Sequence, residues 1–475
     1  MKRCSWRQGN GLAARVLPAL AAAAMAARPA SGAEPARTNL VFIITDDQGT
    51  FSVGCYGNPE ARTPAIDRLA SEGVRFTNAF ATVPVCSPSR ATFFTGRIAS
   101  QHGIHDWIRH ENVGPRARYC LADEVLLSDV LSRHGYVCGL SGKWHLGDSA
   151  NPHASYSYWF VMPQGSSPYR DAEMFRDGRL VQTRGYLTDV ITDAAIEFVE
   201  ANRDRPFFLT VAYNAPHTPY AGHPQELLDL YRDCPFASIP RLPGHPWASA
   251  DLANVGRRSS LEAYFAACTG VDRAVGRLVE RIEALGLGRR TLIVYTSDQG
   301  FCVGHHGLWG KGNASNPRNL YDTSLRVPMI FRHTGRLPAG REFDGLFSAY
   351  DFVPTVLEYL GVPASPGRNL PGTPMAGRVA DPRPGQGPEA VFGEYGRARM
   401  IRTREWKYVH RADGGPDELY DLRADPEEMH NLAADREHRP RLLEMRKKLF
   451  EWFDRYAEAG ADPVGNEYLR PADRE

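Results

Sequence analysis

Cysteine is scarce in this chain of 475 residues: there are eight, and no two stand in a Cys-x-x-Cys pair. A zinc site built on that spacing is therefore excluded. An excess of one charge is lacking too, since 56 basic residues face 55 acidic ones. Without a basic field no nucleic-acid partner is expected, although a small basic pocket remains compatible with the balance. Beyond residue 27 no apolar run approaches the roughly 20 residues that cross a bilayer, so no membrane span is expected. Internal repeats and low-complexity segments are also missing from that point on.

What is present begins with a leader. Lys2, Arg3, Arg7 and Arg15 precede an apolar stretch of 12 residues, Val16–Ala27. Ala30-Ser31-Gly32-Ala33 follows as a cleavage site, so residues 1–33 read as a signal peptide. No cysteine follows the apolar stretch to carry a lipid, and an exported protein, periplasmic or secreted, is expected. The leader takes five basic residues and no acidic one with it. The remainder holds 51 basic against 55 acidic residues, a net −4. Seven cysteines also remain, and an odd number in an exported chain flags one special thiol. The other six suffice for three disulfides in any of 15 connectivities, or stay free and buried.

The length exceeds one ordinary domain, so a large core with a smaller companion is expected. Asn39–Thr45, Pro206–Tyr213 and Thr291–Thr296 are continuous apolar runs, as in strands buried on both faces of a parallel sheet. Val74–Phe80 and Tyr136–Ser141 add further strands. Helical patterns cover 63–73, 123–134, 188–202 and 260–285. The alternation predicts an α/β sandwich with a mostly parallel central sheet and its site at the strand carboxyl ends. Residues 149–187 and 220–258 show no clear period and read as loops or lids over that site. The Pro/Gly-rich stretch 361–390 reads as a boundary. Three short antiparallel strands follow within 400–422, then a helix over 439–456. The expected division is a catalytic domain over 38–360 and a C-terminal α+β subdomain over 361–475.

Several strand ends carry chemistry. Asp46 and Asp47 close the first strand, and adjacent carboxylates there are costly unless neutralised. They read either as ligands for a divalent cation or as an acidic turn. Asp298 and Gln299 close the Thr291 strand in the same way, with Lys311 within loop reach of Asp298. His217 closes the Pro206 strand. Lys143 and His145 lie two apart at a strand end, where both can point to one side. Cys86-Ser87-Pro88-Ser89-Arg90 places a cysteine at the start of a helical run, with a guanidinium one turn on. Such a position suits an anion; the other reading is a buried structural cysteine. The loop Gln101–His110, with Trp107, Arg109 and His110, can line a sugar pocket or form a structured surface loop.

Cys86-Ser87-Pro88-Ser89-Arg90, with Thr95-Gly96-Arg97 after it, resembles the signature of the type I sulfatases. Gly142-Lys143-Trp144-His145-Leu146-Gly147 is similar to that family's second signature. The likeness runs over residues 38–440 through four separate motifs. It implies the alkaline-phosphatase-like fold and an enzyme that hydrolyses sulfate esters, with a sulfated carbohydrate (polysaccharide or glycosaminoglycan fragment) as substrate. It implies that Cys86 is converted to formylglycine, the nucleophile, by a formylglycine-generating enzyme. Asp46, Asp47, Asp298, Gln299 and the converted Cys86 would hold Ca²⁺, with Mg²⁺ as the alternative ion. At Gln299 the family often has Asn or His. Arg90, Lys143 and Lys311 would offset charge on the sulfuryl oxygens. His217, with Lys311, would protonate the leaving alcohol, and His145 would hold the second hydroxyl of the hydrated formylglycine. His305 stands where many relatives have Glu. Two other readings stay open: a phosphate or phosphonate ester hydrolase of the same superfamily, and a non-catalytic glycan-binding relative. The second should have lost nucleophile or metal residues, and all of them are here.

Overall fold

A computed structural model of the protein describes residues 37–249, 252–365, 369–412 and 414–465. The expected signal peptide lies outside the described residues. Within them the strands are β1 (Asn39–Asp46), β2 (Val74–Phe80), β3 (Val137–Gly142), β4 (Tyr158–Val161), β5 (Glu173–Arg176), β6 (Arg179–Gln182), β7 (Phe207–Pro216) and β8 (Thr291–Ser297). They continue with β9 (Cys302–Val303), β10 (Trp309–Gly310), β11 (Met329–Arg332), β12 (Arg341–Ser348), β13 (Ala390–Tyr395), β14 (Ala398–Thr403), β15 (Trp406–Arg411) and β16 (Glu418–Asp421). Ten of them form one sheet in the order β12-β2-β11-β8-β1-β7-β3-β4-β5-β6. The central run β8-β1-β7-β3-β4 is parallel throughout. Antiparallel pairs join it at both flanks, through β11 on one side and β5 on the other. A four-stranded antiparallel sheet, β13-β14-β15-β16, follows near the C-terminus.

Every residue of β1 is buried. Its side chains alternate between two apolar layers, as the period of a strand requires. Leu40, Phe42 and Ile44 share a cluster with residues of the helices Cys86–Thr95 and Ala349–Leu360. There the Phe42 ring stacks on Phe352 at 4.4 Å. Val41 and Ile43 face the helices Leu187–Ala201 and Arg258–Ala284 on the other side. Fully burying each such side chain stabilises the fold by roughly 1.5–3 kcal/mol. Two helical layers therefore clamp the strand whose end carries Asp46 and Asp47.

The C-terminal sheet is two-faced as well. Ile401, Tyr408 and Leu419 pack on the helix Arg439–Tyr456 through Met445, Leu449 and Phe453. Val391, Tyr395, Met400 and Val409 pack on Val83, Val85 and Cys86, at the head of the helix Cys86–Thr95.

Several expectations need correction. Residues 149–187 are only in part a loop over the site: β4, β5 and β6 extend the main sheet there, while Gln164, Gly165 and Ser166 between β4 and β5 reach the cavity. Each is only four residues long, too short for alternation to register. The helix expected over 123–134 begins only at Leu127. The seven cysteines Cys55, Cys86, Cys120, Cys138, Cys234, Cys268 and Cys302 are all free, so none of the three disulfides forms. Among the described residues no helix is long and apolar enough to cross a membrane.

Candidate active site

Asp46 and Asp47 stand where β1 leaves the sheet, and both are buried. Asp47 takes a left-handed backbone conformation, φ 66°. That conformation is strained for any residue with a side chain, by about 1–2 kcal/mol. Its neighbours hold it there: the Tyr264 hydroxyl donates to Asp47 O at 2.7 Å, and Asp47 N–H donates to Asp298 Oδ1 at 3.4 Å. The strain turns consecutive carboxylates into one space. Asp298 arrives beside them from β8, which pairs in parallel with β1.

Cations surround this acid cluster. Lys143 Nζ donates to Asp46 Oδ2 with both side chains fully buried. Lys311 Nζ lies 2.6 Å from Asp47 Oδ1 and 3.9 Å from Asp46 Oδ1. Its carboxylate partners are therefore Asp46 and Asp47 rather than the Asp298 suggested by loop reach. Arg90 Nε donates to Asp298 Oδ2 at 2.8 Å, and Nη1 donates to Lys143 O at 2.9 Å. Arg90 Nη2 is buried without a partner. His217 Nε2 is 3.8 Å from Asp47 Oδ2, while Nδ1 faces Thr218 O at 2.8 Å. Gln299 Nε2 donates to Asp47 Oδ1 at 2.5 Å and to Asp46 Oδ1 at 3.3 Å.

Cys86 opens the helix Cys86–Thr95 and is 3% exposed. Its neighbours Ser87 and Ser89 tie that helix to the site, Ser87 Oγ donating to His145 O at 3.0 Å and Ser89 Oγ donating to Asp298 O. Lys143 and His145 arrive differently from the strand-alternation argument. β3 ends at Gly142, φ 114°, where a Cβ would fall 1.9 Å from Ala212 O. His145 then sits in a left-handed turn, φ 57°, with Nε2 on Ile108 O at 2.9 Å and Nδ1 buried without a partner. Cys86, His145, His217 and Lys311 line one cavity of about 400 Å³.

Burial and the cations compete for the charge states here. Burial alone would push Asp46 up, yet Lys143, His217, Lys311 and Arg90 together hold it well below the usual carboxylate range. Burial and the nearby Asp46 push Asp298 up to about 7, against the pull of Arg90, Lys143 and Lys311. Lys311 is held well above its ordinary value by Asp47, Cys86 and the other acids, despite burial. Burial lowers His145 and His217, and Lys143 adds to the effect at His145. The Cys86 thiol is pushed up by burial, although Lys143 and Lys311 oppose the shift. An unconverted Cys86 is therefore a protonated, weak nucleophile at neutral pH.

The donor set fits a hard divalent cation. Asp46, Asp47 and His217 present ligand atoms within 4.8 Å of one another. Asp298 and Cys86 fall outside that tight group. Gln299 Oε1 is buried with no hydrogen-bond partner while Nε2 faces Asp46 and Asp47, so a half-turn of the amide would present the oxygen to an ion held by those carboxylates. Oxygen-rich sets of this kind suit Ca²⁺ or Mg²⁺.

Other residues reach the cavity without having been singled out from the sequence: Gln164, Gly165, Ser166 and Asn313. The first three follow β4, inside the segment read as a loop. No motif marks them, and only tertiary packing brings them in. Trp107 and Arg109 line the cavity, while His110 is exposed and outside its lining. His305 is packed on Phe51, with ring centroids 4.8 Å apart, and lines a different cavity.

The cavity brings Lys311, His145 and His217 to the edge of a buried acid cluster, while Lys143 and Arg90 lie fully buried on Asp46 and Asp298, an arrangement that suits a hydrolase of anionic esters. A sequence model described as sulfatase matches residues 38–362, and the chain belongs to that family, the sulfuric ester hydrolases. A second model, described as N-sulphoglucosamine sulphohydrolase C-terminal, matches residues 304–454. The N-acetylglucosamine-6-O-sulfatase of Bacteroides thetaiotaomicron is 27% identical, over 90% of this chain and 88% of its own length. The uncharacterized sulfatase YidJ of Escherichia coli K12 is 30% identical over 82% of each chain. A protein solved in complex with its substrate D-glucosamine-2-N,6-O-disulfate superposes with a TM-score of 0.77 at 25% identity, covering 90% of this chain and 99% of that one. The alkaline-phosphatase-like architecture expected from the motifs is thus the architecture of the chain.

Proposed function

We propose that this sulfatase is exported and removes sulfate esters from a sulfated carbohydrate, using a formylglycine made from Cys86 and a bound Ca²⁺. The observation that carries the reading is the convergence of Cys86, His145, His217 and Lys311 on one cavity, directly beside the acid cluster. Asp46, Asp47, Asp298, Gln299 and the converted Cys86 would hold the ion, with Mg²⁺ the alternative, and the ion would supply Lewis-acid activation of the nucleophile. Converted to formylglycine by a dedicated maturing enzyme and hydrated, residue 86 would supply the attacking hydroxyl.

The remaining work falls to the chain's own groups. Lys311 at the cavity, backed by the buried Lys143 and Arg90, would stabilise negative charge on the sulfuryl oxygens, since donors fixed in place need no reorganisation. Lys311, kept protonated by its acid neighbours, is the proton donor toward the departing alcohol oxygen. His217, with Nδ1 donating to Thr218 O, directs Nε2 inward, and once protonated there it would share with Lys311 the delivery of a proton to that oxygen. His145, neutral with Nδ1 free, accepts a proton from a hydroxyl on residue 86. We assign this chemistry to residues 38–360, with 361–475 as a supporting subdomain and 1–33 as the removed leader.

The test is release of free sulfate, with free phosphate measured in parallel, from matched panels of aryl and saccharide esters. The protein must carry a verified conversion of Cys86 by peptide mass. Sulfate release that vanishes in Cys86→Ala and on chelation is the expected outcome. Phosphate release alone, or full activity in Cys86→Ala, overturns the reading.

A further inference from the structure

The backbone of Ile108 is held by the site on both sides. Its N–H donates to Ser87 Oγ at 3.0 Å, beside Cys86, and its carbonyl accepts from His145 Nε2 at 2.9 Å and from Asn112 Nδ2 at 3.2 Å. One residue earlier, Trp107 N–H donates to Asp106 Oδ1 at 2.9 Å. Asp106 is itself anchored by the Tyr395 hydroxyl and Arg318 Nη2, each at 2.8 Å. Trp107 and Arg109 thus flank a residue whose position is set by the neighbours of the nucleophile. Both side chains line the mouth of the cavity.

Two further features converge there. Trp107 is 39% exposed and is the one aromatic among the large hydrophobic side chains exposed in the described residues. Arg109 lays its guanidinium 4.5 Å from the centroid of that ring. Among the described residues no carboxylate lies within ion-pair distance of Arg109, and no carboxylate lines the cavity. Lys143, Lys311 and Arg90 are already matched by Asp46, Asp47 and Asp298. Arg109 is therefore the cation at this mouth that the protein leaves without an acid.

Resting on the sulfatase reading, we propose that Arg109, held in place by Trp107, is a second anion subsite. The substrate class is then a saccharide that carries, besides the reacting sulfate ester, another anionic group: a carboxylate or a second sulfate. A planar guanidinium suits either by bidentate hydrogen bonds, and a fixed Arg loses little freedom on binding. The open part of the indole is a surface for the apolar face of the sugar ring.

The experiment uses the full chain with residue 86 converted. Sulfate release is followed on two pairs of saccharides: one pair differs by a second sulfate, the other by a uronic carboxylate. The readout is the ratio of kcat/KM for the dianionic over the monoanionic member. Wild type is expected to favour the dianion, with a ratio that shrinks as salt is raised. Arg109→Gln is expected to reduce the ratio roughly three- to tenfold, carried by KM, as for one partly screened charge pair. Arg109→Lys should restore part of it, and Trp107→Ala should reduce it although the charge remains. The pair that responds names the anion. A ratio that Arg109→Gln leaves unchanged on both pairs overturns the subsite while sulfate release continues. Absence of sulfate release from every ester by wild type overturns the sulfatase reading itself, and the subsite with it.

Discussion

Arg90 reaches Asp298 with Nε at 2.8 Å, and neither side chain has any exposed surface. The same guanidinium donates to the carbonyl of Lys143, so one cation joins the helix Cys86–Thr95, the β8 end and the β3 end. Arg90→Gln removes the charge and leaves the Asp298 carboxylate buried beside Asp46. Breaking a buried pair in this way typically destabilises by roughly 3–5 kcal/mol. A lowered urea midpoint and loss of turnover are expected together. Adding Asp298→Asn should recover part of the stability and none of the turnover. A single variant as stable as the parent would show that the pair carries no structural load.

Gly165 lies against the ring of His145. A Cβ there would fall 2.2 Å from Cε1 and 2.3 Å from Nε2. Gly165→Ala must therefore push the imidazole off Ile108 O. A shift of about 1 Å at a proton-transfer group can lower turnover by up to a hundredfold, so a loss of tenfold or more in kcat is expected. Unfolding temperature should change little, since the nearest atoms the methyl meets all belong to the His145 side chain. Unaltered kcat in a variant confirmed by mass would remove His145 from the proton route.

Metal binding should register in stability as well as in activity. An ion that binds the folded chain alone adds about 2.7 kcal/mol when present at a hundred times its Kd. Calorimetry with Ca²⁺, with Mg²⁺ and after chelation should show the unfolding temperature raised by the preferred ion. Asp47→Asn should abolish that difference. An unfolding temperature indifferent to both ions and to chelation would contradict the assignment of Asp46, Asp47, Asp298 and Gln299.

Asp272 gives a pH signature away from the site. It sits in the helix Arg258–Ala284, and its Oδ1 accepts the N–H of Ile66 at 2.8 Å, near the start of the helix Pro64–Ser71. Burial pushes it from 3.8 up to about 7. Between those values the folded chain keeps a proton that the unfolded chain has released. The stabilisation is complete below the lower value, drains as pH rises, and is gone above the upper one. Asp272→Asn keeps the acceptor without the ionisation. Its advantage over the parent should grow from about pH 4 to pH 7 and then level off, having risen by up to about 4 kcal/mol at the plateau. Parallel stability curves for the two proteins would refute this.

The parts legible in the sequence were those set by local pattern. β1, β7 and β8 announced themselves as apolar runs ending in polar residues, because parallel strands are buried on both faces. Cys86, Lys143 and His145 were legible because they sit in contiguous motifs. What stayed hidden depends on partners distant in sequence. β13 carries Gly393 and the buried Glu394, whose carboxylate is satisfied by Ser100 N–H at 2.9 Å from another element. Gln164 and Asn313 carry no motif, and only folding brings them to the cavity mouth. The grouping of His217 with Asp46 and Asp47, and the engagement of Lys311 by Asp47 rather than Asp298, were likewise set by tertiary approach.

The packing of Cys86 against Val391, Tyr395 and Met400 has a consequence for the order of events during synthesis. The residues that cover this side chain leave the ribosome long after it does. Were Cys86 converted by another protein, as proposed, that protein would meet the side chain uncovered in the interval before the tail folds back, and afterwards through the cavity alone. A fast-folding tail would shorten that interval, and the yield of competent enzyme would then record a race between two rates.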